Sequence, residues 1–435
     1  MLKRSLAISM AFVGTLAGAG FASGQEAMTY FVAFGNWGIV GALLGSVVMI
    51  ICGIAILQLG SYYQAREHTA VIDRITNSPI IAKILDWGTI ATLFSIGFVM
   101  FAGGGSNLTE AWGWPTWIGA TLMLIMTILV GLLDVEKTTA VIGVITPFLI
   151  IMVLGTAIYT VITVDPNWDN IQQASTEVHT TLPNWWISAI NNIAFQVIVA
   201  VSMAIVIGGS FMDTREAGIG GAIGGAVFLS LLLLLVMSMY FTVETTKDAD
   251  MPMLALMISL HPALGHIMTV VLYGMVFNTA IGMFYALAKR LTRNSPEKFF
   301  RVYVAACLIG FVLSFVGFRQ LVSYVYPVLG YIGMLLIVVL IWAWVRNFRT
   351  MRTEGQRRRR GRELMSRKVD PRVRFSKKND RELTTLAAQS NMGSEEFLHS
   401  IKEEIDDELE NDPDVDYDRD MPAGSVVYVE HTKPE

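Results

Sequence analysis

The chain has 435 residues, of which 53% are apolar and only 16% charged, where a soluble protein carries about 25% charged residues. That deficit excludes a disordered chain, a collagen-like repeat and an ordinary soluble enzyme. Runs of about 18 or more apolar residues recur, each long enough to cross a bilayer, so an all-α polytopic membrane protein is expected. The net charge of −4 conceals three regions. Residues 1–345 carry 14 Lys/Arg and 16 Asp/Glu, residues 346–381 carry 15 and four, and residues 382–435 carry three and 16. They predict a transmembrane core over 1–346, a basic juxtamembrane segment over 347–381 and an acidic cytoplasmic tail over 382–435.

In chain order, ten spans are expected near 5–33, 38–60, 84–106, 115–133, 140–164, 185–209, 218–242, 263–288, 300–317 and 320–346. Lys and Arg set their direction. Lys3 and Arg4 precede the first span, Arg66, Arg74 and Lys83 follow the second, and Lys289, Arg290, Arg293, Lys298 and Arg301 follow the eighth. Only Lys247 and Arg319 fall on the other side, which places both termini in the cytoplasm. Lys3-Arg4, an apolar run and Ala17-Gly18-Ala19 would also pass as a signal peptide. Cleavage would strand the first link outside, so an uncleaved first helix is preferred. Ten spans divide into two fives, 5–164 and 185–346. Because five is odd, equivalent helices run in opposite directions, as in an inverted repeat. Cys52 and Cys307 sit inside apolar runs and suggest neither a disulfide framework nor a metal cluster.

The first span breaks the rules for a lipid-facing helix. It holds Gly14, Gly18, Gly20 and Gly24, four glycines in eleven residues, each weakening a helix by about 1 kcal/mol relative to Ala. Ser23, Gln25 and Glu26 adjoin them. Small residues at this spacing also permit close helix packing. A carboxylate inside a span, however, is expensive and marks function. The expected result is an unwound segment whose carbonyls face a cation and whose outer half-helix faces an anionic group. The sixth span is polar in its middle, with Ser188, Asn191, Asn192 and Gln196 on neighbouring turns. The alternative there is hydrogen bonding between helices, at about 0.6 kcal/mol per contact. The eighth span offers Asn278 and Thr279, whose oxygens suit a hard cation such as Na⁺. Pro147 and Pro327 are expected kinks, and Gly103-Gly104-Gly105 is either a flexible gate or the end of the third span.

The run Gly18-Ala-Gly-Phe-Ala-Ser-Gly-Gln-Glu26, supported by Pro252-Met253-Leu254, Tyr326-Pro327 and Gly330-Tyr331, resembles the YkvI-type bacterial membrane proteins. These are similar to the amino acid–polyamine–organocation superfamily of LeuT-fold transporters. The resemblance covers residues 5–346. It implies two intertwined five-helix repeats with a solute held between broken helices one and six. It also implies a sodium site between helices one and eight, matched here by Gly14, Ala17 and Thr279, and less closely by Asn278. The second sodium site of some relatives needs an Asn beside the first-helix glycines, where this chain has Ala and Gly. The YkvI-type group itself implies no defined substrate.

Arg357-Arg-Arg-Arg360 follows the last span, and cations so placed favour an anionic leaflet by about 1 kcal/mol each. Membrane proximity explains them without nucleic acid. Phe397, Ile401, Ile405 and Leu409 repeat every four residues among acids, an amphipathic helix that either binds a protein partner or folds back on the basic strip. Residues 411–435 read as disordered.

The expected function is secondary active transport of a small organic solute, an amino acid or related amine. Na⁺ or H⁺ is the coupling ion, and no other cofactor is expected. The expected solute site is Gly18, Gly20, Ser23, Gly24, Gln25, Glu26, Asn191, Asn192 and Gln196. The alternative is a membrane sensor or scaffold that signals through the charged tail. No His-Glu-x-x-His, Gly-x-Ser-x-Gly or P-loop motif points to an enzyme.

Overall fold

A computed structural model describes residues 2–16, 18–65, 71, 74–75, 79–131, 145–293, 295–370, 374–410, 412, 414–417 and 427–428. The first span is not one helix but three pieces, α1 (Leu2–Leu16), α2 (Ala19–Ser23) and α3 (Gln25–Tyr30). The glycines explain the interruptions, because each removes a side chain that would favour helix and frees the backbone. A short 3₁₀ turn, Val32–Phe34, leads into α4 (Asn36–Tyr63). The first half continues with α5 (Pro79–Trp112), α6 (Thr116–Gly131) and α7 (Ile145–Thr163). Helix α7 is described from two residues before Pro147, so the kink expected there falls at the edge of the described residues. An amphipathic helix, α8 (Trp168–Thr176), lies in the link to the second half.

That half comprises α9 (Trp185–Gly209), α10 (Thr214–Phe241), α11 (Val243–Thr246), α12 (Pro252–Leu260), α13 (Pro262–Leu291), α14 (Phe299–Ser314) and α15 (Phe318–Val369). Helix α9 corrects the expectation of a broken sixth span. It is continuous over 25 residues, because its polar middle is amide and hydroxyl rather than glycine or proline, and its glycines come only at the end. Among the described residues, six helices are long and apolar enough to cross a membrane: α4, α5 from Lys83, α9, α10, α13 and α15. Helix α6 and residues 150–163 of α7 are shorter apolar helices.

Two groups pack within themselves. Helices α1, α4, α9 and α10 form one, and α5, α6, α13 and α14 the other, while α15 touches both. Glycine faces allow the close approaches: a Cβ on Gly119 of α6 would strike Gly105 Cα of α5 at 3.0 Å. The Gly103–Gly105 run is therefore not the end of the third span. It lies inside α5 as a packing face for Thr116 and Gly119. Trp37, Trp112, Trp114, Trp117, Trp168 and Trp186 are exposed near one set of helix ends, the placement expected of interfacial tryptophans.

Helix α15 runs unbroken for 52 residues, about 78 Å at 1.5 Å per residue, so residue 346 is no structural boundary. Pro327 lies inside it and has no N–H for the Ser323 carbonyl one turn back. Thr181 Oγ1 donates to that carbonyl instead, at 2.7 Å. Beyond the span, α16 (Lys377–Gln389) and α17 (Ser394–Glu410) fold back on α15. Phe397, Ile401 and Ile405 pack with Leu364, Met365, Leu383, Ala387 and Met212. Arg360 donates to Glu382 at 2.7 Å, Lys368 to Asp380 at 2.9 Å, and Arg362 pairs with Glu408. Of the two options for the amphipathic helix, the chain takes the fold-back onto its own basic strip. In the stretch expected to be disordered, β1 (Val415–Asp416) pairs antiparallel with β2 (Val427–Tyr428).

Candidate functional site

The breaks in the first span create the site. Gly18 is extended, with φ −86° and ψ 179°, and caps α2. Gly24 adopts φ +77° and ψ −9°, a left-handed conformation, and separates α2 from α3. A Cβ on Gly24 would also sit 2.9 Å from Met239 Sδ and 3.1 Å from the Met253 nitrogen. Conformation and packing thus both demand glycine there, and the Pro252-Met253-Leu254 segment is the surface that packs on the break. Ser23 Oγ donates to the Gly20 carbonyl at 2.8 Å and accepts the Gln25 N–H at 3.2 Å. It serves the break itself. Gln25 Nε2 lies 3.4 Å from Thr29 Oγ1 one turn on.

Glu26 is 5% exposed. Its carboxylate folds back over Gly20, where any Cβ would collide with Oε1; the glycine is there to admit the carboxylate. Oε2 accepts from Gln196 Nε2 of α9 at 2.8 Å, and Asn192 is a second hydrogen-bond partner. Residues predicted on the first and sixth spans therefore meet: Gly20, Glu26, Asn192 and Gln196. Asn191 points elsewhere. Its Nδ2 donates to the Pro327 carbonyl at 3.0 Å, and its Oδ1 occupies the space a Cβ on Gly330 would need. Ser188, on the same face, donates to the Tyr30 carbonyl at 2.6 Å and fastens the end of α3 to α9.

Buried polar atoms are nearly always hydrogen-bonded, yet Tyr30 Oη, Asn191 Oδ1, Asn192 Oδ1 and Ser323 Oγ have no partner. Tyr30 and Tyr326 both lie within electrostatic reach of Glu26, and Phe195 stacks on Tyr326 with ring centroids 4.2 Å apart. Sequence reasoning missed Tyr30 and Phe195. Tyr30 was discoverable, since it stands four residues after Glu26 and so shares its helical face. Phe195 was not, because one aromatic in an apolar run carries no signal. Among the described residues the only fully buried cation is Arg358, which lies in the extension of α15 beyond the span. Glu26 thus meets two amide donors, lies near the unpartnered oxygens of Asn192 and Tyr30, and has no buried cation beside it among the described residues.

The four residues expected at a cation site behave differently. Gly14 is exposed, with nothing within 4 Å of a Cβ built on it, and Ala17 lies outside the described residues. Asn278 and Thr279 are half-buried, and Thr279 Oγ1 donates to the Met275 carbonyl of its own helix at 3.0 Å. Helix α13 packs on α2.

No family model matches the chain. It is 22% identical over 339 residues to the uncharacterised membrane protein YkvI of Bacillus subtilis, spanning 77% of this chain and 94% of that protein. It is 26% identical over 333 residues to the uncharacterised protein YyaD of the same organism, spanning 76% and 94%. Among solved structures, it is similar to MhsT in complex with L-phenylalanine, with a TM-score of 0.54 and 14% identity over 91% of this chain and 97% of that one. It is also similar to Mhp1 in an inward-facing conformation, with a TM-score of 0.50 and 10% identity over 78% and 76%. The chain is thus similar to YkvI-type multi-pass membrane proteins and has the LeuT fold.

Proposed function

We propose that the chain is a secondary active transporter of a small organic solute bearing an amine, coupled to Na⁺ or H⁺. It would work in the bacterial cell membrane with both termini in the cytoplasm. The observation that carries this reading is the carboxylate of Glu26, buried at a double break in a membrane helix and lacking a cation. An ionised carboxylate in such surroundings costs several kcal/mol, about what a proton or a solute ammonium would recover on binding. The free oxygens of Asn192 and Tyr30, the neighbours of Glu26, favour the same kind of visitor, a group rich in N–H donors. Gln196 and Asn192 orient the carboxylate. Gly18 and Gly24 let α2 and α3 rearrange around it, while α9 moves as a continuous rod. Alternating access therefore pivots on the first span rather than on two broken helices.

Thermal unfolding of the purified protein, with Na⁺ exchanged for choline and pools of amines and amino acids added, tests this directly. A ligand at about 100 times its dissociation constant stabilises by about 2.7 kcal/mol. Glu26→Gln should fold, lose the ligand shift and lose coupled uptake in vesicles. Undiminished uptake by that variant would exclude the reading. A second reading, a sensor that signals through its tail, is favoured by the docking of α16 and α17 against the helix ends. It requires loss of output, with no uptake to lose, when residues 394–435 are deleted.

A further inference from the structure

The first span has an unusual mechanical layout. Its inner half, α1, is a separate helix of 15 residues, joined to α2 only through the non-helical stretch at Gly18. At the far end, in the first turn, Arg4 reaches out of the bundle to the tail. Arg4 Nη2 lies 2.8 Å from Glu408 Oε1, and Nη1 donates to Glu404. Both acids belong to α17. The same two carboxylates also serve Arg362 of α15, which pairs with Glu408 and lies 3.9 Å from Glu404. Two arginines from opposite ends of the core thus share two tail acids. Arg4 is also 3.9 Å from Glu216 at the start of α10.

The platform beneath α17 is fixed. Phe397 and Ile401 are fully buried, and α17 approaches α15 so closely that a Cβ on Gly361 would sit 2.9 Å from Phe397 Cζ. Arg358 then binds that part of α15 to the core through the carbonyls of Ser61, Tyr62 and Met212, at 2.8, 2.9 and 3.2 Å. What joins α1 to this platform is of another kind, a pair of partly exposed ionic contacts. Ion pairs that solvent reaches are weaker and are screened by salt, and solvent reaches this one mainly through Glu408, 47% exposed against 20% for Arg4 and 17% for Glu404, so the contact is the reversible part and its support is not.

We propose that α17 is a latch on the cytoplasmic gate: Glu404 and Glu408 hold Arg4, and α1 swings away to open the inward path only when the tail lets go. The inference rests on the transporter reading, in which the inner half of the first span moves. With α17 engaged, the protein is held closed to the cytoplasm. Higher ionic strength, or a cationic partner competing for the two acids, releases it.

The test is a distance measurement on the full chain, with Cys52 and Cys307 replaced by Ala and nitroxide labels at Met10, exposed on α1, and Arg301, exposed on α14. At low ionic strength a single short-distance population is expected. Arg4→Gln should add a longer-distance population, and 0.5 M KCl, about a 4 Å screening length, should add it to the unmutated protein but not shift the variant further. Gly361→Leu unseats α17 without touching the ion pairs, and stands in should Arg4→Gln fail to fold. Unchanged distances in the folded variant, or in salt, overturn the latch. Uptake in vesicles is scored separately. A latch response without uptake of any solute rejects the transporter reading and keeps the latch, whereas uptake with unchanged distances rejects the latch alone.

Discussion

The core and the extension of α15 beyond the span each bury a charge, and they treat it in opposite ways. Arg358 is 1% exposed, and its guanidinium has five N–H donors. All five are used: on Glu354 at 3.2 Å, the Ser61, Met212 and Tyr62 carbonyls, and Asn391 Oδ1 at 2.8 Å. Ser61 and Tyr62 lie in the last turn of α4, whose carbonyls have no partner within the helix. Glu26 is nearly as buried, yet receives only amide donors, and the oxygens of its neighbours Asn192 and Tyr30 have no partner. A fully satisfied charge is a rivet. A charge left short of partners, among acceptors left short of donors, is a vacancy that a ligand would complete.

The sharpest way to break that contrast is to remove each charge in turn. Arg358→Met removes the buried arginine from the buried Glu354, leaving it to the half-buried Arg357, and strips the Ser61, Tyr62 and Met212 carbonyls of its donors; it should cost about 3–5 kcal/mol, read as a large fall in the thermal midpoint. Glu26→Gln should leave the midpoint unchanged or higher while abolishing the ligand shift. Equal destabilisation by the two would mean that Glu26 is a structural group like Arg358. Next in size, Gly24→Ala forces a side chain into a left-handed backbone against Met239 and Met253, at about 1–3 kcal/mol; a silent substitution there would show that the break is not held as described. The smallest effect concerns the tail. The Arg360 guanidinium, hydrogen-bonded to Glu382, holds that carboxyl below the usual carboxylate range. A depressed folded value stabilises above the unfolded pKa and loses that contribution as pH falls through the folded one. Glu382→Gln should therefore lower the midpoint slightly at neutral pH, and the difference should vanish on acidification.

The amino-acid sequence determined what local chemistry determines. Apolar run length marked the spans, since about 20 apolar residues are needed to cross hydrocarbon. Four glycines marked the interruption of the first span, since glycine disfavours helix wherever it stands. Tertiary structure decided what depends on partners. The resemblance implied a broken sixth span, but its side-chain donors find acceptors on neighbouring elements without unwinding, Ser188 on the Tyr30 carbonyl and Asn191 Nδ2 on that of Pro327. A basic strip followed by an acidic helix allowed lipid, protein or self as partner, because charge complementarity does not select among them. The apolar face of Phe397, Ile401 and Ile405 docks on α15 and Met212 and so lays the acids over the basic strip. Glu26 stood out in the sequence as an expensive residue. That its carboxylate rests on Gly20 and meets Gln196, 170 positions away, was decided by the packing of two helices against each other.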